Sequence, residues 1–288
     1  MNKVYQILFL LSIALFVSCE KDDGPKAEPL RDFSEQYATD LDSIDRFIDT
    51  HYLTVDSNFN VTMTKIPTGG TQQSIRTQTE FPLEFKMVNK HDIDYKVYYL
   101  KIREGVNERP SRVDSVLVAY RGNLVNDTQF ELAQNPVWFT LDNVIQGWSE
   151  IVPLFKTGTY ETSEGPNPVT FADYGVGVMF LPSGLAYYNQ VTGAVPRYSP
   201  LIFTFNLYEL NYRDHDNDGI LSKDEVANPG DNPLDYDSDN DGIPNMYDKD
   251  DDNDSYLTRF EISENGVVIF PYPTCPSELP KHLDASCH

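Results

Sequence analysis

Cysteine and positive charge are scarce in this chain of 288 residues. Three cysteines cannot build a disulfide scaffold. With 22 Lys+Arg against 45 Asp+Glu the formal net charge is -23. That excludes nucleic acid as a natural partner, because phosphate binding needs clustered cations. Long apolar runs are also missing: apart from residues 7–17, no stretch is apolar enough to span a bilayer. What is present forms cores. The 18 Tyr and 16 Phe make the chain too aromatic to be mostly disordered, and its length suffices for one or two domains.

The apolar run at 7–17 follows a single cation, Lys3, and ends in Phe16-Val17-Ser18-Cys19. It is too short and too close to the start for a membrane span. The ending resembles a bacterial lipobox, which implies that residues 1–18 are a signal peptide and that Cys19 carries the lipid. Glu20-Lys21-Asp22-Asp23 resembles the export signal of surface lipoproteins in the Bacteroidetes group. The implied location is the cell envelope, with a lipid anchor in the outer membrane and exposure at the surface. Residues 19–31 read as a tether. Cys275 and Cys287 lie 12 apart. In an oxidising compartment one disulfide is the simple expectation, two free thiols the alternative.

Along the chain, Tyr37, Leu41, Ile44, Phe47 and Ile48 recur at three- and four-residue steps, predicting a helix over 33–52. Alternation predicts strands over 58–65, 95–102, 115–120, 137–141, 176–181 and 201–210. Residues 144–155 read as a short helix, and 159–175 as a polar surface insertion. Residues 32–112 are an N-terminal extension that either caps the following domain or folds separately. Composition changes abruptly near Asp214, and 263–288 read as a tail.

Five blocks occur in order between 113 and 212. They are Val118-Ala-Tyr-Arg-Gly122, Phe130-Glu131, a run from Phe139 to Glu150 (FTLDNVIQGWSE), Leu181-Pro-Ser-Gly-Leu-Ala-Tyr-Tyr188, and a run from Ala194 to Leu210 (AVPRYSPLIFTFNLYEL). Together they resemble an FKBP-type peptidyl-prolyl isomerase. The resemblance implies an α+β fold: an antiparallel sheet wrapped around a short helix, with the N-terminal helix and strand extension added. It implies activity on proline-containing polypeptides without a catalytic cofactor. It also places the site. Trp148 is the floor, with Tyr120, Phe130 and Phe203 as walls and Glu131 beside them. Val144 and Ile145 stand at the helix entry, the Ile145 N–H being a donor. Tyr187 offers a hydroxyl, and Val195 is an apolar lip. Glu131 in place of Asp, Val137 in place of an aromatic, Tyr188 in place of Gly, and a single Pro196 depart from the family pattern. They imply weaker turnover, and Tyr188 implies a harder left-handed turn. A surface binding or adhesion module with a degenerate pocket is the alternative.

Residues 214–261 carry 16 Asp+Glu and 3 Lys+Arg. A solvated tail is the bland reading of such a run. Its spacing is that of a twelve-residue calcium loop, three times over. The first copy offers Asp214, Asp216, Asp218, the Ile220 carbonyl and Glu225, with Gly219 at the turn and Ser222 at position 9. The second offers Asp237, Asp239, Asp241, the Ile243 carbonyl and Asp248, with Gly242 and Asn245. The third offers Asp250, Asp252, Asp254, the Tyr256 carbonyl and Glu261, with Ser255 where glycine is usual and Thr258 at position 9. The first copy fits the EF-hand loop, and Pro244 makes the second resemble a thrombospondin type 3 repeat. Residues 213–262 are thus expected to bind Ca²⁺ in a structural role.

Overall fold

Asp32 starts the first helix, α1 (Phe33–Thr50), by accepting from the backbone N–H of Ser34 at 2.8 Å and Glu35 at 3.3 Å. The computed structural model describes residues 29–161 and 169–287. Cys19, the signal read over 1–18 and most of the tether therefore lie outside the described residues. The helix ends earlier than its periodicity suggested, because His51 opens a strand, β1 (His51–Val55), paired antiparallel with β2 (Val61–Lys65).

The main sheet has six strands in the order β3-β4-β9-β10-β5-β6, all antiparallel. They are β3 (Leu83–Lys90), β4 (Ile93–Arg103), β5 (Ser115–Leu124), β6 (Gln129–Thr140), β9 (Gly175–Leu181) and β10 (Leu201–Asn211). Between β6 and β9 come α2 (Gln146–Ile151) and a short hairpin, β7 (Thr159–Glu161) with β8 (Thr170–Ala172), inside the polar insertion. The helix expected over 144–155 is shorter than read. It tightens into a 3-10 turn at Val152–Leu154, where Pro153 has no N–H to continue the ladder.

Both faces of this sheet are covered, and the side-chain period of two divides the core accordingly. Val97 and Tyr99 of β4, Met179 and Leu181 of β9, and Phe203 and Phe205 of β10 pack on the side of Trp148. Tyr98, Leu100, Val178, Phe180 and Ile202 pack on the other side with Ile44, Phe47 and Ile48 of α1. Every residue of β9 is buried as a result. The extension is therefore no separate domain: β3 and β4 belong to the main sheet and α1 roofs one face. No break falls at 112/113.

The acidic region has little helix, only single turns at Pro233–Asp235 and Asn245–Tyr247 and α3 (Thr258–Glu261). A small hairpin follows, β11 (Ser263–Glu264) with β12 (Val267–Val268). Cys275 and Cys287 form a disulfide. Asp32–His288 is one compact unit. Among the described residues no helix is long and apolar enough to cross a membrane.

Candidate active site and acidic loops

Register brings the aromatic residues together. On β5, Tyr120 sits opposite Phe205 and Gly122 opposite Phe203 of β10; across the other edge Gly122 faces Glu131 of β6. Gly122 has no alternative, since a Cβ there would lie 2.4 Å from the Phe130 ring. Gly147 lets α2 settle onto β9, because its Cβ would meet Leu181 at 2.5 Å. That approach seats Trp148, which meets Tyr120, Phe139 and Phe203 edge to face at centroid distances of 5.2, 5.3 and 5.3 Å. Phe130 in turn meets Phe203 edge to face at 5.6 Å. These are the quadrupole-matched arrangements aromatic pairs prefer.

Val144, Ile145 and Tyr187 pack against the same core cluster, and Val195, expected as a lip, is buried within it at 2% exposure. Trp148 lies deeper than a simple floor: it is 3% exposed. Tyr120, Phe130, Val144, Ile145 and Tyr187 are half-buried and form the reachable rim. Glu131 is exposed and accepts the Tyr120 hydroxyl at 2.7 Å. Burial, that hydrogen bond and the nearby carboxylate all raise the Tyr120 pKa, so its proton is held. The Tyr187 hydroxyl and the Ile145 N–H make no hydrogen bond to any described residue. Burial, with a smaller contribution from Glu131, raises the Tyr187 pKa as well. The site thus presents an aromatic bed with two donors uncommitted among the described residues.

The loop after β9 takes the left-handed turn at the cost its sequence implied. Tyr188 adopts the left-handed turn despite its Cβ, with φ 50°. Such a conformation costs a non-glycine residue roughly 1–2 kcal/mol. The ring recovers contact by stacking on Phe33 at 4.1 Å and meeting Tyr198 edge to face at 5.1 Å. The start of the same loop is tied to α1: the Ser183 N–H and hydroxyl donate to Asp40 Oδ2 at 2.7 and 2.6 Å.

The three acidic loops share one backbone design. Asn217, Asn240 and Asn253 at position 4 have positive φ, as do Gly219, Gly242 and Ser255 at position 6. Position 6 donates to the first carboxylate of its loop: Gly219 to Asp214 at 3.2 Å, Gly242 to Asp237 at 2.9 Å, and Ser255 to Asp250 at 3.1 Å. Ser255 therefore makes the turn without glycine. The position-9 side chains are not turned to a ligand. Ser222, Asn245 and Thr258 accept from the backbone N–H of position 2, at 3.1, 2.9 and 3.1 Å, and close each loop.

In each loop the carboxylates at positions 1, 3 and 5 converge. Asp214, Asp216 and Asp218 do so, as do Asp237, Asp239 and Asp241, and Asp250, Asp252 and Asp254; one oxygen of each lies within 4.8 Å of the others in its set. Asp248 stands outside the second set, and its Oδ1 accepts from the Asp250 N–H at 3.0 Å. Glu225 and Glu261, at position 12, are buried with neither oxygen hydrogen-bonded, as is Oδ2 of Asp216, Asp218 and Asp252. Buried carboxylate oxygens with no donor are costly, so a divalent cation fits this donor set. Desolvation, with repulsion from Asp218 and Asp216, pushes Glu225 up to about 10; desolvation, with repulsion from Asp252, Asp254 and Asp250, pushes Glu261 up to about 7. The second loop is more exposed, with Ile243 45% accessible.

Residues 106–208 match the family model described as FKBP-type peptidyl-prolyl cis-trans isomerase. This stretch is an FKBP-type domain. A second model, described as BamM C-terminal, matches residues 215–279. The chain is 32% identical over 104 residues to the "Probable FKBP-type peptidyl-prolyl cis-trans isomerase FkpA" of Neisseria meningitidis serogroup B, covering 35% of this chain and 31% of that protein. It is 31% identical over 120 residues to the "Outer membrane protein MIP" of Legionella longbeachae, covering 40% and 42%. The crystal structure of FkpA from Escherichia coli aligns with 20% identity and a TM-score of 0.37, covering 62% of this chain and 60% of that chain. The chain spans about a third of the length of the first curated relatives it matches.

Several residues in and behind the candidate site escaped the sequence reading. Phe139 adds a ring to the cup beside Tyr120 and Trp148, whereas Val137, two residues earlier, is 39% exposed. Phe205 follows from alternation with Phe203 on β10. Asp40 is an acid on the apolar stripe of α1, a signal in itself. The acidic loops meet the FKBP-type domain at Asp142: Tyr247 donates to its Oδ2 at 2.9 Å and His215 Nε2 lies 3.5 Å from it. Nearby, buried Asp114 accepts from the Arg213 N–H at 3.1 Å.

Proposed function

We propose that the chain is a peptidyl-prolyl cis-trans isomerase acting on exported polypeptides at the cell envelope. A peptide amide resists rotation with a barrier of about 18–20 kcal/mol because of its resonance. The half-rotated amide has lost that resonance and its dipole, and so tolerates an apolar bed better than the planar forms do. A surface that binds the twisted form more tightly accelerates exchange by differential binding alone. The bed here is Tyr120, Phe130, Phe203 and the edge of Trp148. The Ile145 N–H and the Tyr187 hydroxyl would hold the flanking carbonyls. The single observation carrying this reading is that both donors are free within the described residues beside a closed aromatic cluster.

The acidic region supplies a structural calcium module, on the support of its orphaned buried carboxylate oxygens. Hard oxygen donors at alternate positions suit Ca²⁺ better than Mg²⁺, which demands a tighter octahedron. The chain reaches the envelope as a lipoprotein through Cys19, a reading supported by the motif around it.

Exchange spectroscopy on Xaa-Pro peptides with the full chain tests the main reading, with a protease-coupled assay beside it. Catalysis above the buffer rate is expected. Exchange at the buffer rate in the parent protein would leave a peptide-binding module. Radiolabelled palmitate incorporation that survives a Cys19→Ser change would remove the anchor from the account.

A further inference from the structure

Asp251 stands at position 2 of the third loop, where the alternate-ligand pattern gives a side chain nothing to do. It does not join Asp250, Asp252 and Asp254. It joins Asp218 and Glu225 of the first loop instead, one oxygen of each lying within 4.8 Å of the other two. Asp251 is 2% exposed and Glu225 4%, and all four of their oxygens lack a hydrogen-bond partner. Among the described residues none of the three takes part in an ion pair. The Nδ2 of the polar neighbour Asn245 donates to Ser238 Oγ at 2.9 Å.

The backbone is built to hold this side chain in place. The Asp251 N–H donates to Thr258 Oγ1 at 3.1 Å, and its carbonyl accepts from the Ser238 hydroxyl of the second loop. Three buried carboxylates so close together repel one another strongly unless a cation lies between them. The first loop already supplies Asp214, Asp216 and Asp218 around the shared residue Asp218.

We propose that Asp251 is a ligand of the divalent cation held by the first loop, so that the site is shared between the first and third loops. The proposal rests on the calcium reading above and deepens it. The cation becomes a rivet between two stretches of chain rather than the filling of one loop. Five carboxylates then surround it, which selects a hard divalent or trivalent ion with high coordination number.

The test is calcium calorimetry on the full chain, with Asp251→Asn as the isosteric variant and Glu264→Gln, an exposed carboxylate outside the three loops, as the control. The parent should bind Ca²⁺. Asp251→Asn should weaken the tightest class of sites by about tenfold or more, since ligand charge sets affinity. Glu264→Gln should leave that class unchanged. Melting provides a signature that mere packing lacks. Asp251→Asn should raise the midpoint in EDTA, by removing an unpaired buried charge, and lower it in calcium. A parent that binds no calcium overturns both readings. A parent that binds normally with an unchanged Asp251→Asn isotherm, or a shift of the same sign in both buffers, overturns this one alone. Should the variant fail to fold, crystals of the parent grown with calcium decide. An ion about 2.3–2.6 Å from an Asp251 oxygen supports the rivet, and a first-loop ion beyond its reach refutes it.

Discussion

Removing one oxygen atom separates the roles of the two tyrosines at the cup. In Tyr187→Phe the ring keeps its place and the lost hydroxyl had no partner among the described residues. Nothing buried is left unsatisfied, so stability should move by no more than about 0.5 kcal/mol. The hydroxyl's worth appears only when a substrate carbonyl meets it. A neutral hydrogen bond contributes about 0.5–1.5 kcal/mol net. If that bond strengthens as the amide twists, kcat/KM falls about two- to tenfold. Tyr120→Phe is the contrast. Its hydroxyl is already committed to Glu131 at 2.7 Å, and Glu131 is exposed and can turn to water. That change should cost less than about 1.5 kcal/mol of stability and leave kcat/KM within about twofold. The assay is exchange spectroscopy on an Xaa-Pro peptide, with denaturant melts alongside. An unchanged rate in Tyr187→Phe, together with a lower one in Tyr120→Phe, would refute the assignment of donors.

Trp148→Leu forfeits four ring contacts at 5.2–5.9 Å and leaves a cavity, so it should destabilise by about 2–4 kcal/mol and slow exchange more than Tyr187→Phe; a melt within about 0.5 kcal/mol of the parent would contradict the packing. Asp40→Ala strips the acceptor from two donors of fully buried Ser183, costing about 1–3 kcal/mol. Hydrogen exchange at 183–188 should quicken, and unchanged protection there would rule out the tether. The pH–rate profile should stay flat between about pH 6 and 9, since Tyr187 and Tyr120 are shifted upward and keep their protons throughout; a bell-shaped curve in that window would point to acid–base chemistry instead. Chelation should open the acidic region to protease and leave the aromatic near-ultraviolet signal largely intact; equal protection in excess EDTA would deny metal-dependent order.

The cup was legible through the family resemblance that its short blocks carry, not through periodicity. Tyr120, Phe130, Trp148 and Phe203 come from four elements, and two of the blocks also carry the small residue, Gly122 or Gly147, that the assembly needs. β3 was not legible. As an edge strand it exposes Phe85 and Met87, so no buried alternation marks it. The strain at Tyr188 could be read from the sequence, but its stacking partner, Phe33, lies far away in sequence and could not. The acidic loops announced their first, third and fifth positions, as any local pattern does. The destination of Asp251 depends on how loops stack, and no spacing rule contains that.

Asp142 has a practical consequence for anyone shortening this protein. Its side chain is 2% exposed, Tyr247 and His215 both reach its Oδ2, and Ile145, whose N–H borders the cup, is three residues away. A fragment ending at residue 212 would bare that carboxylate to water and unfasten the turn leading to the donor. Rates from such a fragment would describe a different threshold, and whole-length protein is the fair reference for every comparison of turnover.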